Sequence, residues 1–408
     1  MYKLLDAVAI ALDSIWANKL RSFMMVLGNI VAVMSIIAVV SLIQGMNAYV
    51  GDAIIREVGA GTFRIDKTGV ITDEREEEEA YRRNPDVSMG DVRAVRNFSP
   101  LIAAVMAESG TQANISYRDQ TLENVRVRGV SPDYQEFVGY STALGRLPSA
   151  LEVQRNRPVV LIGWETAQKL FKNRNPIDEV ITLGGTHFRV VGVNEKKGSL
   201  FGQSQDDFAI IPLGKFQQLF GSRRSLEITV KPPDPALLQP AMDEARIAMR
   251  ITRRLRPRDK DNFGLFTSDT LMDLWKQFSQ GIFAVLIGVV SLSLVVGGIV
   301  IMNIMLMVVT ERTREIGLRK ALGARKRDII WQVLTESTSL SVVGGIVGTA
   351  LGFLAAWLVT VFSPLPADIQ PWSVVLGIGM TALVGLFFGL YPAIRAANLD
   401  PIEALRRE

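Results

Sequence analysis

Phe23-Met24-Met25-Val26-Leu27-Gly28-Asn29-Ile30-Val31-Ala32-Val33-Met34-Ser35-Ile36-Ile37-Ala38-Val39-Val40-Ser41-Leu42-Ile43 decides the fold class. No charge interrupts the chain between Arg21 and Asp52. At about 1.5 Å per residue this run crosses roughly 30 Å of hydrocarbon. A cleavable signal segment would have an apolar core of about 7–15 residues ending at a small-residue site, which residues 41–47 do not offer. Three more uncharged blocks, 282–309, 337–362 and 372–394, are each long enough to span. The composition agrees. A mean hydropathy of +0.23 beside 21% charged residues requires apolar residues to be bunched rather than interleaved.

Loop charge sets the expected orientation. Residues 311–328 carry Arg312, Arg314, Arg319, Lys320, Arg325, Lys326 and Arg327, whereas 363–371 carries only Asp368. The first loop is therefore expected in the cytoplasm and the second outside. Both termini then lie in the cytoplasm, in keeping with Lys3, Lys19 and Arg21 at one end and Arg395, Arg406 and Arg407 at the other. The expected segments are a cytoplasmic helix (1–20), four spans (21–47, 278–309, 331–362 and 372–394), an external domain (48–277), a cytoplasmic loop (310–330), an outer loop (363–371) and a tail (395–408). The whole chain has 45 Lys+Arg against 41 Asp+Glu. That small excess sits at the inner membrane face, where anionic lipid or a cytoplasmic partner meets it. The external part is nearly neutral, which argues against nucleic-acid binding.

The external segment is ample for an independent core. Phe63-Arg64-Ile65-Asp66, Val125-Arg126-Val127-Arg128 and Leu226-Glu227-Ile228-Thr229-Val230 alternate as strands do. Val159-Val160-Leu161-Ile162-Gly163 reads as a buried strand, and 180–183 with 187–193 as a hairpin through Gly184-Gly185. Helices are expected after Ser88, over 166–172 and over 235–255, the last opened by Pro235. Residues 73–83, with Glu76 to Glu79 consecutive, read as a solvated mobile loop, with a docking patch for a basic partner as the alternative, and 256–261 as a solvated connection.

Several chemistries lack their residues. Without cysteine there is no disulfide framework, thiol nucleophile or Cys/His zinc site, and the one histidine, His187, sits in an alternating strand. The phosphate cradle G-x-x-x-x-G-K-[ST] does not occur, so no ATP hydrolysis is expected of this chain alone. Polar groups are sparse in the spans, too few for a wet pathway. Glu336 is expected at the inner membrane interface or paired with a neighbouring Arg. The glycines at 297–298, 344–345, 348 and 352 predict close helix packing, within or between subunits.

Two cytoplasmic segments carry more. Leu5, Val8, Ala9, Leu12, Ile15 and Trp16 recur at helical spacing, describing an amphipathic helix along the membrane. Residues 310–325 form a short basic helix ended by Gly323. Its plainest role is to fix topology. Its functional role is to dock on a cytoplasmic protein, with Ile316, Leu318 and Leu322 as buried contacts and the Arg/Lys set as a charged rim.

Asn18-Lys19-Leu20-Arg21-Ser22, the run from Glu311 to Arg325, Tyr391-Pro392-Ala393-Ile394-Arg395-Ala396-Ala397 and Asp400-Pro401-Ile402-Glu403-Ala404-Leu405-Arg406 together resemble the permeases of MacB-type ABC transporters. That group includes FtsX-like and lipoprotein-releasing permeases. The external segment from Gly129-Val130-Ser131-Pro132-Asp133-Tyr134 to Ile211-Pro212-Leu213 resembles the same family's periplasmic core domain.

The resemblance implies four transmembrane helices per subunit with a large α+β periplasmic domain between helices 1 and 2. Its two lobes map to about 62–130 with 225–270, and an insert at about 131–224. It further implies a non-catalytic inner-membrane subunit, as a homodimer or a heterodimer with a paralogue, working with a separate cytoplasmic ATPase that holds ATP and Mg. No fused ATPase segment is expected on this chain, whereas some MacB-type proteins carry one. No cofactor or metal is expected on it. Glu311, Arg312, Arg314, Glu315, Ile316, Gly317, Arg319, Lys320, Leu322 and Gly323 fall at the ATPase-coupling segment. A periplasmic adaptor and an outer-membrane channel are expected partners for efflux. The alternatives are an FtsX-like signalling module that activates a cell-wall hydrolase, and a membrane-anchored enzyme. At Asp178 relatives frequently have Gly, which touches only the local turn.

Overall fold

The computed structural model describes residues 19–137, 141–172, 174–200, 203–362 and 370–406. The expected helix over 1–20 and outer loop over 363–371 lie outside these residues except at their edges. The chain divides into two compact units, Val50–Trp275 and a second made of Met1–Tyr49 with Lys276–Glu408.

Among the described residues four helices are long and apolar enough to cross a membrane. They are α1 (Lys19–Val58), α8 (Ser268–Glu311), α10 (Lys326–Phe362) and α11 (Pro371–Ala397). The first two outrun the expected spans because backbone hydrogen bonding continues a helix past the point where its side chains turn polar. Glycine brings the helices together. A Cβ on Gly28 of α1 would lie 2.8 Å from the Gly297 Cα of α8, so the two backbones touch. Along α10, Gly348 and Gly352 face Ile30 and Ile37 of α1, while Gly345 faces Thr381 of α11. The glycine faces are thus used within the subunit. Ser337 Oγ donates to the Gly385 carbonyl at 3.1 Å, a further α10–α11 tie. Asn29 is fully buried on α1, its amide without a hydrogen-bond partner among the described residues.

The inter-span unit is built on a ten-stranded sheet. Its strands are β1 (Phe63–Asp66), β2 (Ala104–Tyr117), β3 (Gln120–Val130), β4 (Thr142–Gly145), β5 (Val159–Ile162), β6 (Val180–Leu183), β7 (Thr186–Asn194), β10 (Phe208–Pro212), β11 (Glu227–Lys231) and β12 (Gly264–Thr267). A separate ribbon pairs β8 (Ser199–Leu200) with β9 (Gln203–Ser204). The order is β12-β1-β11-β2-β3-β10-β5-β7-β4, with β6 beside β2 and β7. Pairing is antiparallel except for β3 with β10 and β5 with β7. The β6–β7 hairpin turns through Gly184 and Gly185, both at positive φ, as its sequence predicts. Asp178 also has positive φ, at 65°, a conformation glycine adopts without strain.

Two apolar clusters mark two lobes. In the first, α3 (Met89–Phe98) and α7 (Leu238–Thr252) cover β1, β11 and the start of β2 with Val92, Val95, Ala241, Ala245 and Met249. Ser88 caps α3 in a capping box with Asp91, and Asp91 pairs with Arg253 at 3.3 Å in a buried bridge. In the second, α5 (Trp164–Phe171) and α6 (Leu213–Phe220) pack on β3, β5, β7 and β10. A smaller cluster includes Tyr134 and Val153, the latter on α4 (Ala150–Gln154).

Two expectations are corrected here. The β2–β3 hairpin, placed by sequence in the first lobe, buries Ile115, Tyr117, Val125 and Val127 in the second. The long strand β2 runs through both lobes, so the boundary falls inside it, not at residue 130. The acidic run is not a mobile loop. It forms helix α2 (Glu74–Arg83), whose N-cap Asp73 accepts from the Arg75 and Glu76 amides. Acidic residues in the first turn and Arg82 and Arg83 in the last suit the helix dipole, and Arg82 pairs with Glu78 one turn back. The 256–261 connection is tied down, because Arg250 donates to the carbonyls of Arg256 and Asp259.

Candidate coupling site

Between α8 and α10 stands the short helix α9 (Thr313–Ala321). Gly323, with φ 98°, ends it: the Ala324 amide bonds to the Arg319 carbonyl and the Gly323 amide to that of Lys320. These two bonds form a Schellman cap, which needs a left-handed residue where Gly323 stands. The next helix starts at once, since Asp328 reaches back to the Arg325 amide at 3.0 Å. A following short helix, α12 (Pro401–Arg406), is opened by Asp400, whose carboxylate accepts from the Ile402 amide.

The residues assigned to this segment divide by direction. Ile316 is turned inward, 7% exposed, among Met305, Val309, Ile329, Ala393 and Ala396. It is a core residue of its own chain and has no surface left for a partner. Gly317 is buried against Ala404 of α12. Leu322 is 81% exposed and Leu318 52%, so the outward apolar surface of α9 is theirs. Arg314 is exposed beside them, and Glu315 pairs with Arg319 one turn on.

Three contacts anchor the segment. Arg312 Nη1 lies 3.2 Å from Glu336 Oε1 on α10, the pairing with a neighbouring Arg that the sequence suggested. Arg319 Nη1 donates to Gln332 Oε1 at 2.7 Å. Lys320 Nζ donates to the carbonyls of Ala397 and Leu399 at the end of α11, so it is not a free rim charge. Glu311 closes α8 and is exposed. The segment is thus braced to α10 and to the end of α11, with Leu318 and Leu322 left exposed. Elsewhere, His187 Nδ1 lies 3.1 Å from Thr182 Oγ1 in the β6–β7 hairpin.

Known proteins share this arrangement of parts. The family model for the MacB-like periplasmic core domain matches residues 22–248, and that for the FtsX-like permease C-terminal matches 282–401. The uncharacterized ABC transporter permease YvrN of Bacillus subtilis is 30% identical over 413 residues, covering 99% of this chain and 100% of YvrN. The chain belongs to the MacB-like, FtsX-like family of ABC transporter permeases. The permease is also 34% identical over 394 residues to the macrolide export ATP-binding/permease protein MacB of Bdellovibrio bacteriovorus. That match covers 96% of the permease and 60% of the MacB protein, so the chain spans about 60% of this relative's length. The solved periplasmic region of MacB from Actinobacillus actinomycetemcomitans is similar over 54% of the permease and 95% of its own chain, at 20% identity and a TM-score of 0.45. The coupling segment of the permease, Glu311 to Gly323, falls inside the FtsX-like match.

Sequence reasoning missed the inward burial of Ile316 and the grip of Lys320 on α11. A basic residue in a positive loop looks like any other until its acceptor is located, and here the acceptors are backbone carbonyls 77 and 79 residues away.

Proposed function

We propose that the permease relays motion made by a separate ATPase on the cytoplasmic side to the domain between its first two spans on the periplasmic side. Both termini and α9 are cytoplasmic in this reading, as the Arg and Lys residues of the 311–328 loop favour. ATP and Mg are held by the partner, and the permease performs no chemistry of its own. It works as a homodimer or as a heterodimer with a paralogue, and a periplasmic adaptor and outer-membrane channel complete the path for expelled substrate. The substrate is handled in the periplasm or outer leaflet, without a wet channel through the spans.

The observation that carries this reading is the position of α9. It is braced to α10 and α11 while Leu318 and Leu322 stand free of the chain's own core. An apolar pair with a basic rim is the composition of a docking patch. The test is reconstitution in lipid nanodiscs. The permease alone should show no nucleotide turnover, and adding the ATPase that copurifies with it should give turnover sensitive to substitutions at Leu318 and Leu322. Turnover by the isolated permease, or insensitivity to both substitutions, refutes it.

A further inference from the structure

The end of the fourth span leaves carbonyl groups that its own helix cannot satisfy. In α11 the Asn398 and Leu399 amides meet those of Ile394, Arg395 and Ala396, and the last, that of Ala397, is met from the coupling loop. The Lys320 ammonium donates to the Ala397 carbonyl at 2.9 Å and to that of Leu399. The negative end of the helix dipole adds to this attraction. Lys326 Nζ donates to Asn398 Oδ1 at 2.9 Å. One turn back on α9, Gly317 meets α12 with no side chain between them: a Cβ there would stand 2.6 Å from the Ala404 Cβ. Ala404 itself is 3% exposed. The coupling loop therefore grips residues 397–404 by two ammonium groups and one close packing contact.

We propose that Lys320 and Gly317 are positioning residues that make α9, the end of α11 and α12 move as one body. A displacement imposed on α9 then enters the fourth span directly, as well as through α8 and α10, the helices that flank α9 in the chain. Lys320 suits the task because charge-assisted bonds to backbone carbonyls resist sliding, and Gly317 because nothing soft separates the two helices. The proposal rests on the reading of α9 as the element an ATPase moves.

The test uses the full chain in lipid nanodiscs with the ATPase that copurifies with it. Lys320→Met removes the donors and leaves Leu318 and Leu322 in place. ATPase affinity is expected to stay within about threefold of wild type while stimulation of hydrolysis falls about tenfold or more. Unchanged stimulation in Lys320→Met overturns the proposal. Should Lys320→Met not assemble, Gly317→Ala decides: its added methyl meets the Ala404 Cβ and pushes α12 off α9, so stimulation should fall at retained ATPase affinity, and unchanged stimulation overturns the proposal. Failure of wild type to bind any ATPase would instead sink the coupling reading. The clamp is then read by spin labels at Arg314→Cys and Arg395→Cys, whose distance distribution should broaden in Lys320→Met; an unchanged distribution overturns it.

Discussion

Replacing Leu318 and Leu322 by alanine separates docking from folding. Burying a whole Leu side chain against a partner stabilises by about 1.5–3 kcal/mol. With 81% of Leu322 and 52% of Leu318 still exposed, covering the two contributes about 2–4 kcal/mol. At about 1.4 kcal/mol per factor of ten, the double variant should bind the ATPase about 30- to 700-fold more weakly. Because neither side chain belongs to the chain's core, the thermal unfolding midpoint should not move. The assay is a titration of ATPase onto nanodisc-embedded permease, read by fluorescence anisotropy, with unfolding followed in parallel. Unchanged affinity would mean that the exposed apolar surface of α9 faces something else. A lowered midpoint would mean that these side chains are not free.

The neighbouring Ile316→Ala should behave in the opposite way, lowering folding stability by about 2–5 kcal/mol because it empties a packed site, as chemical denaturation would report. Gly28→Val should weaken assembly of the spans, measured as loss of monodisperse protein in detergent, because the Gly297 backbone already occupies the space. Glu152 is held down to a pKa of about 2, first by its hydrogen bond to Arg146 and then by the Ser149 cap, against 4.5 ordinarily. Its contribution, about 1–3 kcal/mol after screening at the exposed Arg146, is present above pH 4.5 and lost as pH falls through about 2. Glu152→Gln should flatten that acid limb in amide-exchange protection of 146–155, corrected for intrinsic rates. A cysteine at Ser141 should react with impermeant thiol reagent from the periplasm, and one at Arg325 only from the cytoplasm; the reverse pattern would undo the orientation.

The spans were legible because length without charge is a one-dimensional property, and strands such as Phe63–Asp66 because alternation is local. The strand β2 was not. Its polar stretch Ser109-Gly110-Thr111-Gln112 alternates with nothing, and it is a strand because β3 and β11 pair with it along its length. Helix α2 was hidden behind its repeated glutamates, although Asp73 at its start was the available signal. In the coupling segment, Gly323 announced the helix end, whereas the inward turn of Ile316 depended on α8, α10 and α11 arriving from elsewhere in the chain.

The contact of Gly28 with Gly297 also limits how the first two spans can move. With backbone on backbone, no side chain there can yield, and one added at either position forces the helices apart. Farther along the same pair, Ala32, Ile36 and Val40 pack with Val290 and Leu294, so the spacing set by two hydrogens at the crossing is kept by interlocking side chains beyond it.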